Sequence, residues 1–295
     1  MLHIEKKEYI VDYQALSYAN LHLHSNHSDG TFRPLHLPRV AGCVGYGALA
    51  LTDHETIHGL PEFLREAESC GIDAIPGVEV FARLEGDNTV YHITGLDFDP
   101  VAFQAYSDRL VAYRNEDTRL KFEYAKRHGC FASIEWNDVL HWNPHTDWFH
   151  AAQIRQTLDL MGIVSIQQQG SLVTDGLLME GSNTGDLFVR PMGEAVEAIR
   201  AAGGVAVLAH PRMEHLKSLK KMVDLGLNGI EISHPSVTEQ AAKEAIHLAR
   251  TYGLYCSGGT DHTGVLSSFG GKQVRAIRCG ISREEYEILK TRALG

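Results

Sequence analysis

The chain has 295 residues and a formal net charge of -10, a length that suits one large α/β domain with an insertion. This acidic balance argues against an extended nucleic-acid surface, which needs an excess of Lys and Arg. No stretch approaches the roughly 18 uncharged apolar residues of a membrane span, and the N-terminal segment lacks an apolar core. The five cysteines form no CxxC pair, so we expect reduced thiols, a cytoplasmic location and no membrane partner.

Strand-like and helix-like runs alternate from residue 18 to about residue 99, a pattern that predicts βα units. The predicted strands here are 18–25, 47–53, 73–83 and 89–98, and the predicted helices are 33–45 and 59–70. The alternation resumes with strands at 204–210, 229–234 and 254–261 and helices at 192–202, 214–225 and 238–252. This order favours a barrel of alternating strands and helices.

Between the two alternating regions, the apolar residues recur at helical spacing among charges. Two further helical patterns lie near 133–142 and 150–162, and a stretch rich in Gly, Ser, Thr and Asp at 171–186 predicts a loop or connector. We therefore predict a discontinuous barrel formed by 18–99 and 191–290, with a helical subdomain inserted at 100–190.

Metal-ligand side chains occur where several predicted strands end. His22 and His24 lie two positions apart on the first strand, so both rings point to the same face and are able to hold one ion. The other side chains of this kind are Asp29, Asp53, His54, Glu79, His92, His210, Asp261 and His262. Because the polar ends of barrel strands meet at one end of the fold, we expect these groups to converge on a metal centre.

Imidazoles and carboxylates are the ligands of Zn, Mn and Fe, and two ions about 3.5 to 4 Å apart need a bridging carboxylate. Glu79 is the expected bridge.

Two further residues each have two possible roles. Asp53 either orients a neighbouring ligand or caps the next helix. Arg212 directly follows His210 and Pro211, where a guanidinium suits two phosphate oxygens, with a solvent-exposed residue at a helix start as the alternative.

The order of these motifs closely resembles the polymerase and histidinol phosphatase (PHP) family of metal-dependent phosphoesterases. The shared segments are HxH, Asp, Asp-His, Pro-Gly-x-Glu, His, Ala-His-Pro and Gly-x-Asp-His. The resemblance covers roughly 18–99 and 192–264, and it is strongest to free-standing members with a helical insert, which include nucleotide phosphatases and short-RNA exonucleases. It implies a distorted (β/α)7 barrel with two divalent metal ions and a third site left open.

The resemblance implies one ligand set for each ion. The first ion would be bound by His22, His24, Glu79 and Asp261, and the second by Glu79, His92 and His210. A third ion would use Asp29, His54 and a histidine two residues after Asp261. Thr263 stands at that position, with His262 one residue earlier. Without a third ion, His54 and Asp29 are free for proton transfer or for holding the leaving group.

The side chains expected to face the substrate are Arg212, from its place beside His210, and His150 and His234, which the resemblance implies. His150 follows Trp148 and Phe149, where related proteins carry an arginine of an Arg-Pro-His segment, so we expect an aromatic surface that stacks on a base or covers a sugar. The expected catalytic residues are His54 and His234, as donors to the leaving oxygen, and Arg212, which takes up charge on the phosphate.

The expected activity is hydrolysis of a small phosphate ester, foremost a nucleotide phosphomonoester such as a 3',5'-bisphosphorylated nucleoside. A phosphodiesterase on a cyclic phosphate and a 5'-3' exonuclease on short RNA are alternatives within the same chemistry. A non-catalytic, metal-stabilised module is the alternative of another class, and amide hydrolysis is a weaker one. Mn, Fe and Zn all suit the ligand set.

Overall fold

The computed structural model describes residues 17–163, 177, 188–264 and 279–292. At its centre lies a β-sheet in which each of seven strands is hydrogen-bonded to the next, so that they form one path. In order they are β1 (Ala19–Asn20), β2 (Ala48–Leu51), β3 (Asp73–Arg83), β4 (Tyr91–Leu96), β6 (Val205–Leu208), β7 (Gly229–Ser233) and β8 (Tyr255–Gly258). A short strand, β5 (Arg190–Pro191), pairs with β3 beside this path.

The residues that follow β1 and β8 nearly close the sheet into a barrel. The Leu21 amide donates to the Gly258 carbonyl at 2.9 Å, and the Asp261 amide donates to the His22 carbonyl at 2.9 Å. The barrel is distorted because β4 runs antiparallel to both β3 and β6, whereas the other neighbours on the path are parallel. The predicted fold class, a distorted α/β barrel, is confirmed.

Helices pack against this sheet. They are α1 (His36–Val44), α2 (Leu60–Ser69), α6 (Met192–Ala201), α7 (Met213–Leu216), α8 (Leu219–Asp224), α9 (Glu239–Tyr252) and α10 (Arg283–Thr291). Their apolar sides join the core, where Phe63 of α2 and Ile199 of α6 are fully buried. The segment 214–225, predicted as one helix, forms the two short helices α7 and α8. The sequence analysis did not predict α10. None of the described helices is long and apolar enough to cross a bilayer.

Among the described residues between β4 and β5 are the helices α3 (Pro100–Arg127), α4 (Trp136–Trp142) and α5 (Ala151–Leu160). The Asp99 carboxylate caps α3 by accepting from the Val101 amide at 2.9 Å. Phe122 and Ile154 are fully buried in an apolar cluster separate from the barrel core. The division into a barrel and an insert at 100–190 stays a prediction, and the predicted loop at 171–186 lies outside the described residues apart from Leu177.

The inner strands explain where polar side chains collect. All four residues of β2 and all four of β6 are buried, as expected for strands covered on both faces. Ionisable side chains therefore occur only after these strands end. Asp53 and His54 follow β2, and His210 follows β6. The fold thus brings side chains from distant parts of the chain to one end of the barrel.

Candidate metal centre

Glu79 lies at the centre of a cluster of histidines, and its side chain is only 1% exposed. Oε1 lies 2.9 Å from His92 Nδ1 and 3.0 Å from His210 Nε2. Oε2 lies near three further ring nitrogens, at 3.3 Å from His22 Nε2, 3.4 Å from His24 Nε2 and 3.1 Å from His54 Nδ1. One carboxylate thus faces two sets of imidazoles, which is the arrangement of a ligand that bridges two ions.

Two more carboxylates border this cluster. Asp261 Oδ1 lies 3.1 Å from His24 Nε2 and 3.7 Å from His22 Nε2. Asp29 approaches from the other side, with Oδ1 at 3.5 Å from His24 Nδ1 and Oδ2 at 3.8 Å from His54 Nε2. The structure therefore brings together almost every residue proposed from the sequence as a ligand. These are His22, His24, Asp29, His54, Glu79, His92, His210 and Asp261.

Two of these side chains are aimed by unusual backbone conformations. His210 has a φ of 31° and Asp261 a φ of 48°, values that are strained for residues with a Cβ. The His210 amide donates to Glu231 Oε2 at 2.6 Å, and the Asp261 amide donates to the His22 carbonyl at 2.9 Å. Hydrogen bonds from the barrel thus hold both strained residues in place.

The donor atoms of the cluster fit divalent metal ions. Several of its buried atoms have no hydrogen-bond partner in the part of the chain that the structure describes, namely His22 Nε2, both ring nitrogens of His24, Asp29 Oδ1 and His54 Nδ1. Buried polar atoms are normally paired, so this concentration indicates that the cluster binds a ligand such as a metal ion. Ligand atoms of His22, His24 and Glu79, and likewise of His54, Glu79 and His92, lie within 4.8 Å of one another. Mixed imidazole and carboxylate sets of this kind bind Zn, Mn and Fe.

Mutual charge interactions shift the protonation of the cluster. Burial disfavours a charge on Glu79, but His22, His92 and His54 hold the pKa of this carboxyl well below its usual range. Burial also opposes a charge on His22, but Glu79 and Glu231 raise the pKa of His22 well above its ordinary value. Burial lowers the pKa of His54 well below its ordinary value. Because ligating imidazoles must be neutral, metal binding here releases protons.

Glu231 orients two of the histidines, a role that the sequence did not suggest. Its Oε1 accepts from His22 Nδ1 at 3.2 Å, while its Oε2 accepts from the His210 amide. With Nδ1 donating, the lone pair of His22 Nε2 points towards Glu79. A signal was present, because Glu231 is an acidic residue in the middle of an apolar strand, and a buried carboxylate without a partner would be costly.

Asp53 lies behind the ligands and not among them. Its Oδ1 accepts from the Ser25 amide at 2.7 Å and from Ser28 Oγ at 2.6 Å, and its Oδ2 accepts from Ser25 Oγ at 2.5 Å. These bonds fix the turn that leads to Asp29. Of the two roles left open by the sequence, the structure favours the orienting one.

Trp148 connects the helical region to the metal centre. Its ring stacks on His54, with centroids 5.0 Å apart, and its Nε1 donates to Glu55 Oε2 at 2.7 Å. Arg114 Nε donates to the same oxygen at 3.1 Å. Trp148 is 1% exposed, and Phe149 is buried in the apolar cluster of the helical region. The expected aromatic surface for a base is therefore wrong, because both rings are already packed against protein.

His234 lies beside the cluster, with its Nε2 directed at Asp261. Its Nε2 lies 3.2 Å from Asp261 Oδ2, and its Nδ1 lies 3.0 Å from the Ser236 amide. A backbone N–H has only a proton to offer, so Nδ1 accepts and the proton of the neutral ring lies on Nε2. This assignment makes His234 a donor towards the site and leaves no lone pair on Nε2 for a metal.

His150 precedes α5 and is half-buried, with its ring 5.3 Å from the Trp148 ring. Burial and the nearby charges of Arg114 and Arg155 hold the pKa of His150 well below its ordinary value. The ring is therefore neutral at physiological pH, and it lies on the wall of the site that the helical region forms.

Two predicted site residues lie away from the cluster. Arg212 is 72% exposed, and its closest carboxylate oxygen is that of Glu214 at 3.7 Å, so its side chain extends into solvent at the start of α7. The His262 ring stacks on Phe32 with centroids 5.7 Å apart. Asp261 has a left-handed backbone conformation, and the ring of the next residue, His262, packs on Phe32 and not among the proposed ligands.

A sequence model of the PHP domain matches residues 20–170, which is more than half of the chain. The chain belongs to the PHP domain family. The family expected from the motifs is thereby confirmed, and with it the enzyme class, a hydrolase of phosphate esters.

Three curated relatives align with most of the chain. A 3',5'-nucleoside bisphosphate phosphatase of Chromobacterium violaceum is 31% identical over 82% of this chain and 86% of its own length. A 5'-3' exoribonuclease of Haemophilus influenzae is 28% identical over 82% of this chain and 88% of its own. A phosphoribosyl 1,2-cyclic phosphate 1,2-diphosphodiesterase of Eggerthella lenta is 26% identical over 83% of this chain and 94% of its own.

A solved structure from Bifidobacterium adolescentis, assigned to the metal-dependent phosphoesterases, has the same fold. It superimposes with a TM-score of 0.76 at 22% identity, and the match covers 93% of this chain and 96% of that one.

Proposed function

We propose that this protein removes a phosphate group from a small phosphorylated nucleoside, foremost a 3',5'-bisphosphorylated one. The observation that carries the proposal is the position of Glu79, whose two oxygens face separate sets of imidazoles. The bisphosphate phosphatase of Chromobacterium violaceum, a relative at 31% identity, supports this choice of substrate.

Two divalent ions, from among Mn, Fe and Zn, would be held by this cluster. The proposed ligands are His22, His24, Glu79 and Asp261 for one ion and Glu79, His92 and His210 for the other. Such ions, when bound, supply a Lewis acid and lower the pKa of water near neutrality. Asp29 and His54 are left to bind a third ion or to assist proton transfer, since Thr263 offers no imidazole.

The protein's own groups position the reaction. Glu231 keeps His22 Nε2 directed at the cluster, and Asp53 keeps the turn before Asp29 in place. His234 presents its Nε2 proton at the edge of the cluster and donates it to the leaving oxygen. In this assignment Arg212 plays no part, because its side chain extends away from the site.

Two diesterase activities are the alternatives, and relatives with these names support each of them. They are hydrolysis of a cyclic phosphate and 5'-3' degradation of short RNA. The net charge of -10 favours a small substrate over a polymer, because polymer binding draws on many cationic contacts. The five cysteines are free thiols, which supports the cytoplasm as the place of action.

The test is a screen of metal-reconstituted protein against a bisphosphorylated nucleoside, a cyclic phosphate and a 5'-phosphorylated oligonucleotide. We expect release of inorganic phosphate from the bisphosphate, and loss of that activity in Glu79→Ala. Glu85→Ala is the matched control, because Glu85 is exposed in the same hairpin. Activity that survives in Glu79→Ala, or absence of turnover in the metal-replete wild type, would contradict the proposal. The second outcome would favour a non-catalytic metal-stabilised module.

A further inference from the structure

His54 packs on two aromatic rings that come from different parts of the chain. Its ring centroid lies 5.0 Å from that of Trp148 and 4.9 Å from that of Phe81, with interplanar angles of 25° and 29°. The Phe81 and Trp148 rings are themselves nearly parallel, at 4°. Rotation of the His54 ring would break both stacking contacts. The plane of this ring matters, because its Nδ1 lies 3.1 Å from Glu79 Oε2.

Arg114, on α3, contacts the same two aromatic rings. Its guanidinium carbon lies 4.3 Å from the Phe81 centroid and 5.0 Å from the Trp148 centroid, distances typical of cation–π contacts. Its Nε donates to Glu55 Oε2 at 3.1 Å, and Trp148 Nε1 donates to the same oxygen at 2.7 Å. One cation thus contacts both rings on which His54 packs and the carboxylate of the residue that follows His54.

Glu55 connects this arrangement to His54 through the backbone. Its φ of 59° is a left-handed conformation, which is strained for a residue with a Cβ and persists only where its surroundings hold it. The Glu55 amide donates to the Glu79 carbonyl at 2.8 Å, and the Glu55 carbonyl accepts from Ser107 Oγ on α3 at 2.9 Å. The residue after His54 is therefore fixed at its amide, its carbonyl and its side chain.

The ion pair between Arg114 and Glu55 is enclosed by protein, with side chains 1% and 0% exposed. Taking two charges out of water is unfavourable, and a buried ion pair is often no more stabilising than apolar residues of the same volume. Stability alone therefore does not account for these charges. Orientation does, because a planar guanidinium bound to a carboxylate has a narrower choice of geometry than packed apolar groups have.

We propose that Arg114 and Glu55 are positioning residues of the metal centre, which hold the His54 ring in the plane that directs its Nδ1 at Glu79. They act on the reaction only through His54, whether that ring binds an ion or moves a proton. The kinetic consequence rests on the function proposed above, whereas the structural consequence does not depend on it.

The kinetic test compares Arg114→Lys, Glu55→Gln and a double variant with Glu55→Gln and Arg114→Gln, all metal-reconstituted, on adenosine 3',5'-bisphosphate. Arg114→Lys keeps the charge without the planar fork, and the double variant leaves no unpaired buried charge. We expect kcat to fall about 10- to 100-fold with KM within about threefold, because a displacement of about 1 Å can cost about 100-fold in rate. Val139→Ala is the matched control with wild-type kcat, since it weakens the helical region inside the separate apolar cluster.

A crystal structure of the double variant without metal gives a readout that does not depend on turnover. We expect the His54 ring to move by about 1 Å or more relative to Glu79, the scale of displacement that impairs catalysis. Wild-type kcat in the double variant, an equal loss of kcat in Val139→Ala, or an unmoved His54 ring would overturn the proposal. If the wild type hydrolyses no phosphate ester, the proposed function fails, and the position of the His54 ring in the double variant alone decides the role of Arg114 and Glu55.

Discussion

Trp148 lies face to face against His54, with ring centroids 5.0 Å apart and planes 25° from parallel. Trp148 comes from the helical region after β4, whereas His54 follows the barrel strand β2. Glu55 strengthens the contact, because its buried carboxylate accepts from both Trp148 Nε1 and Arg114 Nε. The helical region therefore forms part of the wall that holds a proposed metal ligand.

Shortening Trp148 should disturb both stability and turnover. Trp148→Ala should lower the free energy of unfolding by about 3 to 5 kcal/mol through the cavity it leaves. Trp148→Phe keeps a ring against His54 but removes the donor to Glu55, at a cost of about 1 to 3 kcal/mol. Urea denaturation measures both effects. Trp142→Phe, at a partly exposed position, should stay within about 0.5 kcal/mol of the wild type. Wild-type stability in Trp148→Ala would show that the contact is unimportant.

Glu231→Gln should weaken metal binding without removing any proposed ligand. An amide holds the His22 Nδ1 proton and the His210 amide less firmly than a carboxylate does, and such changes typically cost about 10- to 100-fold in metal affinity. Titration with Mn²⁺ or Zn²⁺ measures the change. Glu239→Gln serves as the control, since that side chain is 83% exposed. Equal affinity of wild type and Glu231→Gln would mean that Glu231 does not orient the ligands.

His234→Gln separates proton donation from metal binding. Because His234 Nδ1 accepts from the Ser236 amide, its Nε2 carries the proton and is no ligand. We expect full metal content with turnover reduced by about 10²- to 10⁴-fold. His22→Gln, in contrast, should lose metal and activity together. Elemental analysis alongside steady-state kinetics distinguishes the two cases, and a parallel loss of metal in His234→Gln would refute the tautomer assignment.

Part of the centre was predictable because His54 and His210 follow the ends of apolar strands, and strand ends of a barrel converge. The pairing of His22 and His24 follows from local pattern alone, since residues two apart on a strand share a face, whereas the ligand roles of Glu79 and His92 came from the resemblance to the PHP family. His262 shows the limit of that reasoning. Its type suits a ligand, but the left-handed backbone at Asp261 could not be read from the sequence, and the His262 ring packs on Phe32.

The supporting contacts were not predictable, because each joins side chains far apart in the sequence. Glu55 and Arg114 are 59 positions apart, and Glu55 and Trp148 are 93 apart. Neither charge pattern nor spacing identifies such partners before the helical region is placed against the barrel. Arg212 was misjudged for a related reason, since its place after His210 does not determine which way a long side chain extends.

His215 should make stability depend on pH. Its side chain is 8% exposed and packs edge-on to Tyr91. Burial, followed by the charge of Arg212, lowers the pKa of His215 below its usual 6.5. The unfolded chain thus takes up this proton first, so the stabilising effect is complete above about pH 6.5 and declines as the pH falls below it.

The check is thermal unfolding of wild type and His215→Phe at pH 8 and pH 5.5 with equal metal content. The melting temperature of His215→Phe should fall less between the two pH values than that of the wild type. His247→Phe, at an exposed position, should follow the wild type. If His215→Phe and the wild type change in parallel, the buried neutral histidine has no part in the acid sensitivity.

The central claim is that Glu79 bridges two cations at the end of the barrel. Anomalous diffraction from crystals grown with Mn²⁺ tests it most directly. The account predicts one peak beside each Glu79 oxygen, at about 2.0 to 2.3 Å, one of them near His22 and His24 and the other near His92 and His210. Absence of manganese from this cluster, or a single ion with Glu79 turned away from it, would contradict the account.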